Sequence, residues 1–262
     1  MLFYLTVQAD VFHVHEKRKY MRRRTLFKLA ALPFLATLPG LAQEKTSLQI
    51  STLLEQDPAT SIAEQVMAEA YRRLNIKMKL TRLPGERSLQ SANDGEVDGE
   101  LYRKLYMEKD YPNLLIVPVE LLKYEIVIFT RSTKFVVNGW ESLRPYTLGF
   151  VKSIKIIEQN TAGMKIEVAA TLRQAFLKMM LARSDVVIAN RLSGLAVLKE
   201  LNLPEITILE PPLATFPVFH YLNKKHAALI PQLTKVLVQM QKDKTILNLQ
   251  KAVMLEHGLQ EY

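Results

Sequence analysis

Short apolar strands alternate with helices along most of this chain, and the alternation occurs twice. A β-α-β-α-β order implies parallel strands joined by right-handed crossovers. The fold class expected is therefore α/β, with two lobes built on parallel-rich sheets. The first series is predicted as strand Leu48–Thr52, a helix opened by a Ser61/Glu64 capping box and running to about Leu74, strand Lys77–Leu83, helix Arg87–Asn93 and strand Gly99–Arg103.

Two apolar runs, Leu114–Pro118 and Tyr124–Thr130, separate the two series. The second is predicted as strand Thr147–Val151, a helix over 154–159, strand Lys165–Val168, helix Leu172–Leu181, strand Val186–Ala189, helix Leu192–Leu201 and strand Ile206–Leu209.

After the second series, Pro211 and Pro212 forbid a helix and favour an extended segment that crosses back. The helix predicted at about Ala227–Lys242 has one apolar face, which the sheet of the first lobe would cover most economically. The predicted division is 43–122 with 213–262 as lobe 1 and 123–212 as lobe 2.

The N-terminus has the three parts of a secretion signal, starting at Met21 rather than Met1. Arg22–Arg24 form a basic region, Leu29–Leu38 are apolar, and Gly40-Leu41-Ala42 is a small-x-small cleavage site. An apolar stretch of about ten residues is too short to span a bilayer. We therefore expect residues 1–42 to be a signal region cleaved after Ala42, and the rest to fold in the periplasm without stable membrane insertion.

Two alternatives remain open for this segment. The run from Arg23 to Lys28 resembles the twin-arginine export consensus with two hydrophobic positions swapped, so both that route and the general secretory route are compatible with it. The segment could instead be a buried amphipathic helix. Residues 1–20 have no role in the signal and are left out of the fold prediction.

Removal of the signal changes the charge balance. Residues 1–42 hold seven of the 35 Lys and Arg and two of the 26 Asp and Glu, which leaves 28 against 24. The remaining bases are spread among acids, so nucleic acid is not an expected partner. The absence of cysteine excludes disulfides and thiolate sites, and the five histidines have no metal-ligand spacing. No metal, no cofactor and a monomer are expected.

Several segments, in order, resemble one known family. They are PGERSLQSANDGEVDGELYR, YPNLLIVPVELLKYEIVIFT, WESLRPYTLGFVKS, SDVVIAN and YLNKKHAALIPQLTKVLVQMQKD. Together they are similar to extracellular solute-binding protein family 3, the type II periplasmic receptors of amino-acid ABC importers. The resemblance implies two lobes joined by two hinge strands, with a small solute enclosed between them and an ABC permease or a sensor as partner.

The candidate ligand residues in the first lobe are two arginines, one acid and one tyrosine. Arg103 ends the third strand, where a guanidinium could bind a carboxylate with two parallel hydrogen bonds or simply pair with Glu100 or Glu108. Arg87 starts a helix, where a cation opposes the helix dipole. Glu55 and Tyr102 could supply a charge and an aromatic wall, or be an ordinary loop residue and an outward-packing side chain.

The candidates in the second lobe follow its strands. Lys152 and Ser153 precede a helix, whose free N–H groups bind anions, although Ser153 could be a plain N-cap. The resemblance places Asn190 where amino-acid receptors carry an acid for the ligand's ammonium group. Either the solute lacks that group, or another acid such as Glu55 balances it.

The function expected is the binding of a small polar, carboxylate-bearing solute, and not catalysis. One alternative is a periplasmic dehydratase or lyase on the same fold, with Glu55, Glu100 or Glu120 as general acid or base. The other is a non-transport protein that acts through its surface.

Overall fold

The computed structural model describes residues 47–54, 56–152 and 154–259, which form one compact unit. The predicted export signal lies outside the described residues. No described helix is long and apolar enough to cross a membrane. The first series consists of β1 (Ser47–Leu53), α1 (Pro58–Arg73), β2 (Lys77–Leu83), α2 (Gly85–Asp94) and β3 (Gly99–Lys104).

A long strand, β4 (Leu114–Thr130), leads into the second series. That series consists of β5 (Leu148–Val151), α3 (Lys155–Asn160), β6 (Ile166–Ala169), α4 (Leu172–Met180), β7 (Val186–Asn190) and α5 (Arg191–Leu201). A second long strand, β8 (Thr207–Asn223), returns to the first series, and the chain ends in α6 (Ile230–Lys242) and α7 (Thr245–Glu256).

The strand order in the sheet is β2-β1-β3-β8-β4-β7-β5-β6. Within each series the strands pair in parallel, β1 with β2 and β3, and β5 with β6 and β7. The long strands β4 and β8 pair with each other antiparallel, and each also joins a series. The predicted α/β fold of two parallel-rich lobes joined by two hinge strands is confirmed. The lobe boundaries near 122 and 213 stay a prediction, and both fall inside long strands.

Separate apolar clusters stabilise the two series. In the first, α1, α6 and α7 cover one face of the sheet, with Val66, Leu237 and Val253 fully buried. In the second, α4 and α5 pack on β4 and β7, and the rings of Phe129 in β4 and Phe176 in α4 meet edge to face at 5.2 Å between centroids. Because helices of the C-terminus complete the first cluster, the first lobe is assembled from both ends of the described chain.

Two details of the predicted elements were wrong, and a third element was not predicted. Helix α1 begins at Pro58, because Asp57 caps it with a 2.7 Å hydrogen bond from the Thr60 amide to Oδ1, and Ser61 lies inside the helix. The two apolar runs after β3 form one strand, since Pro118 lies in a register shift where no ladder hydrogen bond is required. Helix α7 was not predicted from the sequence.

Candidate functional site

A β-bulge in β3 brings two charged side chains of opposite sign together. Glu100 pairs with Tyr221 of β8 and Arg103 with Phe219, so two residues of β3 face the single residue His220. In a regular strand, residues three apart point to opposite faces of the sheet. The extra residue of the bulge changes this, and Arg103 Nη2 lies 2.8 Å from Glu100 Oε1.

Glu100 is fully buried and lies among hydroxyl groups. Ser51 Oγ at 2.8 Å and Ser88 Oγ at 2.5 Å both donate hydrogen bonds to its Oε2. Burial raises the pKa of Glu100, while Arg103 and the two serines oppose that rise. Ser51 lies in β1 and Ser88 in α2, so three elements of the first series converge on this carboxyl group.

Arg103 retains hydrogen-bonding capacity after it pairs with Glu100. Its Nη2 donates to the carbonyl oxygen of Gly85 at 3.3 Å, and its side chain is 15 % exposed. The buried Nε of Arg103 has no hydrogen-bond partner, and Glu100 Oε1 receives no well-directed hydrogen bond. A buried donor without a partner is costly. Both atoms are buried, so a solute could contact them only after the surrounding side chains move.

His220 and Tyr71 stabilise the bulge from the core. The Nδ1 atom of His220 lies 3.1 Å from the carbonyl oxygen of Leu101, one of the two bulged residues, and Nε2 lies 2.7 Å from the Tyr71 hydroxyl. A carbonyl only accepts, so Nδ1 carries the proton and Nε2 accepts from Tyr71. Burial lowers the pKa of His220 to about 4, which keeps the ring neutral at physiological pH.

The other candidates of the first lobe have different surroundings. Tyr102 is buried in the core, and its hydroxyl lies 3.0 Å from Oγ1 of Thr60 in α1, so it does not form a cleft wall in this structure. Arg87 is exposed on α2 and makes no side-chain hydrogen bond or ion pair with any described residue. Glu55 lies outside the described residues.

The candidates of the second lobe lie at the ends of β5 and β7. Lys152 is exposed, and its backbone amide donates to Ala169 at 3.0 Å. Asn190 is 5 % exposed and caps α5, because its Oδ1 accepts from the Ser193 amide at 3.1 Å. Its Nδ2 donates to the Glu125 carbonyl at 3.3 Å. The oxygen and the nitrogen of the Asn190 side-chain amide thus both have partners within the chain. Ser153 lies outside the described residues.

The two series contact each other through side chains near these positions. Lys155, the first residue of α3, forms an ion pair with Glu86 of α2. Asp57, the cap of α1, accepts a 2.6 Å hydrogen bond from Ser193 Oγ of α5. Lys199 Nζ of α5 donates to the carbonyl oxygen of Gly258, just after α7, at 2.7 Å.

A cavity of about 700 Å³ lies between the two series on the α5 side. Asp57 and His257 line it from the first series, and Thr171, Arg173 and Ser193 from the second. This volume is in the range of small-molecule sites. The cavity lies beside two regions that the sequence singled out, the loop after β1 and the start of α5, but Arg103, Arg87 and Lys152 do not line it.

Sequence reasoning missed several of these residues. Ser51, Ser88 and the His220–Tyr71 pair were not candidates, because the bulge that assembles them gives no periodic signal. Asp57 had one usable signal, since Asp-Pro before an apolar repeat is typical of a helix start. Among the described residues, no group of three or more His, Asp or Glu side chains could hold a metal ion.

Several solved structures have a similar fold. A mutant of ArgBP from T. maritima has a TM-score of 0.65 at 16% identity, over 79% of this chain and 95% of that one. The GluR0 ligand-binding core in complex with L-glutamate has a TM-score of 0.68 at 9% identity, over 80% and 98%. A histidine kinase sensor domain with similarity to periplasmic binding proteins has a TM-score of 0.65 at 12% identity, over 84% and 100%.

No protein-family model matches the chain, and neither does any curated protein. At these identities the structural likeness shows the fold alone. That fold is the type II periplasmic binding protein fold, so the resemblance inferred from the sequence is confirmed at the level of architecture.

Proposed function

We propose that this protein binds a small polar, carboxylate-bearing solute between its two lobes, in the periplasm, for an ABC-type importer or a sensor. The observation that carries the proposal is the cavity of about 700 Å³ lined by both series, on a fold used by receptors that bind small molecules. In open α/β sheets, ligands bind beyond the carboxyl ends of parallel strands. The β1–α1 loop at this cavity and the Glu100–Arg103 pair in β3 both belong to that region.

The charges near the lobe interface favour an anionic group on the solute. The described acids closest to it have partners: Glu100 has Arg103 and two serines, Glu86 has Lys155, and Asp57 has Ser193. Arg87 and Lys152, by contrast, are cations whose side chains make no hydrogen bond or ion pair with any described residue, and Arg103 has one buried N–H without a partner. A guanidinium with a free N–H is well suited to a carboxylate.

The proposed binding residues are Arg103 and Arg87 from lobe 1, with Lys152, Ser153 and Asn190 from lobe 2. Glu55 and Tyr102 stay secondary candidates, Tyr102 because its hydroxyl is already bonded to Thr60. Asn190 adjoins the cavity through its hydrogen bond with Ser193, and Arg103 lies in β3 next to β1, whose following loop lines the cavity. After release of the signal region, we expect the protein to act as a monomer.

The test is a thermal-shift screen of the purified protein against L-arginine, L-glutamine, L-glutamate, succinate, citrate and a dipeptide. A compound that binds the folded state at 100 times its Kd adds about 2.7 kcal/mol to the free energy of unfolding. We expect at least one carboxylate-bearing compound to raise Tm, and isothermal titration calorimetry to give its Kd.

The matched variants are Arg103→Lys and Arg82→Lys. Arg82 lies in β2, the edge strand of the sheet farthest from the second series, and pairs with Glu64 at 3.0 Å. Arg103→Lys keeps the positive charge but removes the guanidinium, which can donate two parallel hydrogen bonds to a carboxylate. It should weaken binding at least tenfold, whereas Arg82→Lys should not. No stabilisation by any of the six compounds, or equal weakening by both variants, would contradict the proposal.

One observation supports an enzyme as second candidate. Glu100 is a buried carboxyl group with a raised pKa, and such groups occur at catalytic sites as well as in structural networks. If Glu100 were a general acid, a bound compound would be converted during overnight incubation, as NMR would show, and Glu100→Gln would stop conversion without abolishing binding. The return of unchanged compound would favour the binding protein.

A further inference from the structure

We propose that three polar contacts between the lobes form a clasp that stabilises the closed arrangement independently of any solute. The clasp consists of Glu86–Lys155, Asp57–Ser193 and Lys199–Gly258. All six partners belong to the chain itself. Their contribution to lobe closure is therefore present whether or not a solute is bound, and the inference goes beyond the proposed function.

The position of Lys155 on α3 favours an ion pair with an acid on another helix, here Glu86 of α2. Lys155 is the first residue of α3, where a positive charge is unfavourable next to the positive end of the helix dipole. The ion pair with Glu86 across the interface offsets this unfavourable interaction with the helix dipole. Glu86 is held in place by the Tyr111 hydroxyl, which donates to Oε1 at 2.5 Å, and hydrogen bonds from Lys155 and Tyr111 lower the pKa of Glu86.

The other two contacts hold α5 against the first series. Asp57 has a double role, since Oδ1 caps α1 while Oδ2 accepts from Ser193 Oγ at 2.6 Å. Six residues and about 9 Å further along α5, Lys199 reaches the carbonyl oxygen of Gly258. The fit at Gly258 is tight, because a Cβ there would lie 1.6 Å from Lys199 Nζ.

These contacts lie on two helices of the second series that follow different strands, α3 after β5 and α5 after β7. A rotation of the second series about β4 and β8 that separates either helix from the first series breaks at least one contact. Glu86 and Lys155 are 62% and 69% exposed, and an exposed ion pair changes an equilibrium by about two- to fivefold. Each contact is weak, and together they shift the ratio of closed to open molecules by about tenfold or more.

The experiment measures the distance between the lobes directly. The chain has no cysteine, so Gln90→Cys in α2 and Gln159→Cys in α3 place two spin labels on exposed positions beside the Glu86–Lys155 pair. Pulsed electron paramagnetic resonance on the purified protein without added solute then gives the distribution of distances. We expect mainly the short, closed distance.

Lys155→Gln and Ser193→Ala should each increase the population at the longer distance by about two- to fivefold. The charge swap, Glu86→Lys combined with Lys155→Glu, should restore the short distance. Raising the salt concentration should open the parent protein more than Lys155→Gln, because only the parent still has this ion pair to screen.

Arg144→Gln is the control, since it breaks the exposed Arg144–Glu141 pair, which lies just before β5 and does not line the cavity. It should leave the distances unchanged. The inference is overturned if Lys155→Gln and Ser193→Ala also leave the distribution unchanged, or if the parent is mainly open. Neither outcome depends on whether a solute is found, so failure here is distinct from failure of the proposed function.

Discussion

Protonation of His220 should make the stability of this protein fall as the pH drops below about 6.5. The ring is fully buried and its pKa is lowered from 6.5 to about 4. Between these values the unfolded chain binds a proton that the folded chain does not. Stability contributed by the neutral ring is therefore complete above pH 6.5 and is progressively lost down to pH 4.

The size of this loss follows from the shift. Each pKa unit corresponds to 1.36 kcal/mol, so the change from 6.5 to about 4 is worth about 3 kcal/mol. For a domain of ordinary stability this is a large fraction of the total. Charging the ring would also remove the acceptor for the Tyr71 hydroxyl, which is bonded at 2.7 Å.

Urea unfolding at pH 4, 5, 6 and 7, followed by circular dichroism, measures the effect. Other groups also titrate in this range, so the quantity of interest is the difference between the parent and His220→Gln. That difference should shrink by about 3 kcal/mol from pH 7 to pH 4. Tyr71→Phe retains the histidine and should keep most of the parent's pH dependence. A parent-to-variant difference that is constant across this range would refute the reasoning.

Three further results are expected. Because burial raises the pKa of Glu100, Glu100→Gln should gain stability relative to the parent as the pH rises above 4.5, measured by the same urea titrations. Asp57→Ala should cost about 1 kcal/mol through loss of the α1 cap and Asp57→Asn much less, compared by thermal unfolding. In thermal unfolding Gly194→Ala should cost about 1–3 kcal/mol, because its Cβ would lie 2.1 Å from the Phe129 ring; a variant as stable as the parent, or more stable, would contradict this.

The order of elements could be predicted from the sequence because periodic apolar patterns encode it. Strand β2 was predicted at Lys77–Leu83, which is its range in the structure, and β3 differs only by the added Lys104. The joining of separate runs into β4 and β8 could not be predicted. Prolines normally end a strand, and here Pro118, Pro211 and Pro212 occupy register shifts that exist only once the partner strand is in place.

The candidate site was predictable in its region but not in its contacts. Arg103 was singled out with two possible roles, and the structure shows that it pairs with Glu100 while one N–H remains unused. Asn190 and Tyr102 were proposed as ligand contacts, yet both have partners within the chain. What decides these roles is the bulge opposite His220, a tertiary feature set by β8 more than a hundred residues later.

The pairing of β3 with β8 has a consequence for how the chain acquires its structure. Gly99 and Leu222 are neighbours in the sheet but 123 positions apart along the chain, and α6 and α7 follow later still. The first strand–helix series therefore emerges during synthesis long before its own partner strand and covering helices. Contacts of such long sequence separation form slowly. The second series, whose strands and helices are contiguous, should become ordered first and act as the scaffold on which the two ends of the chain meet.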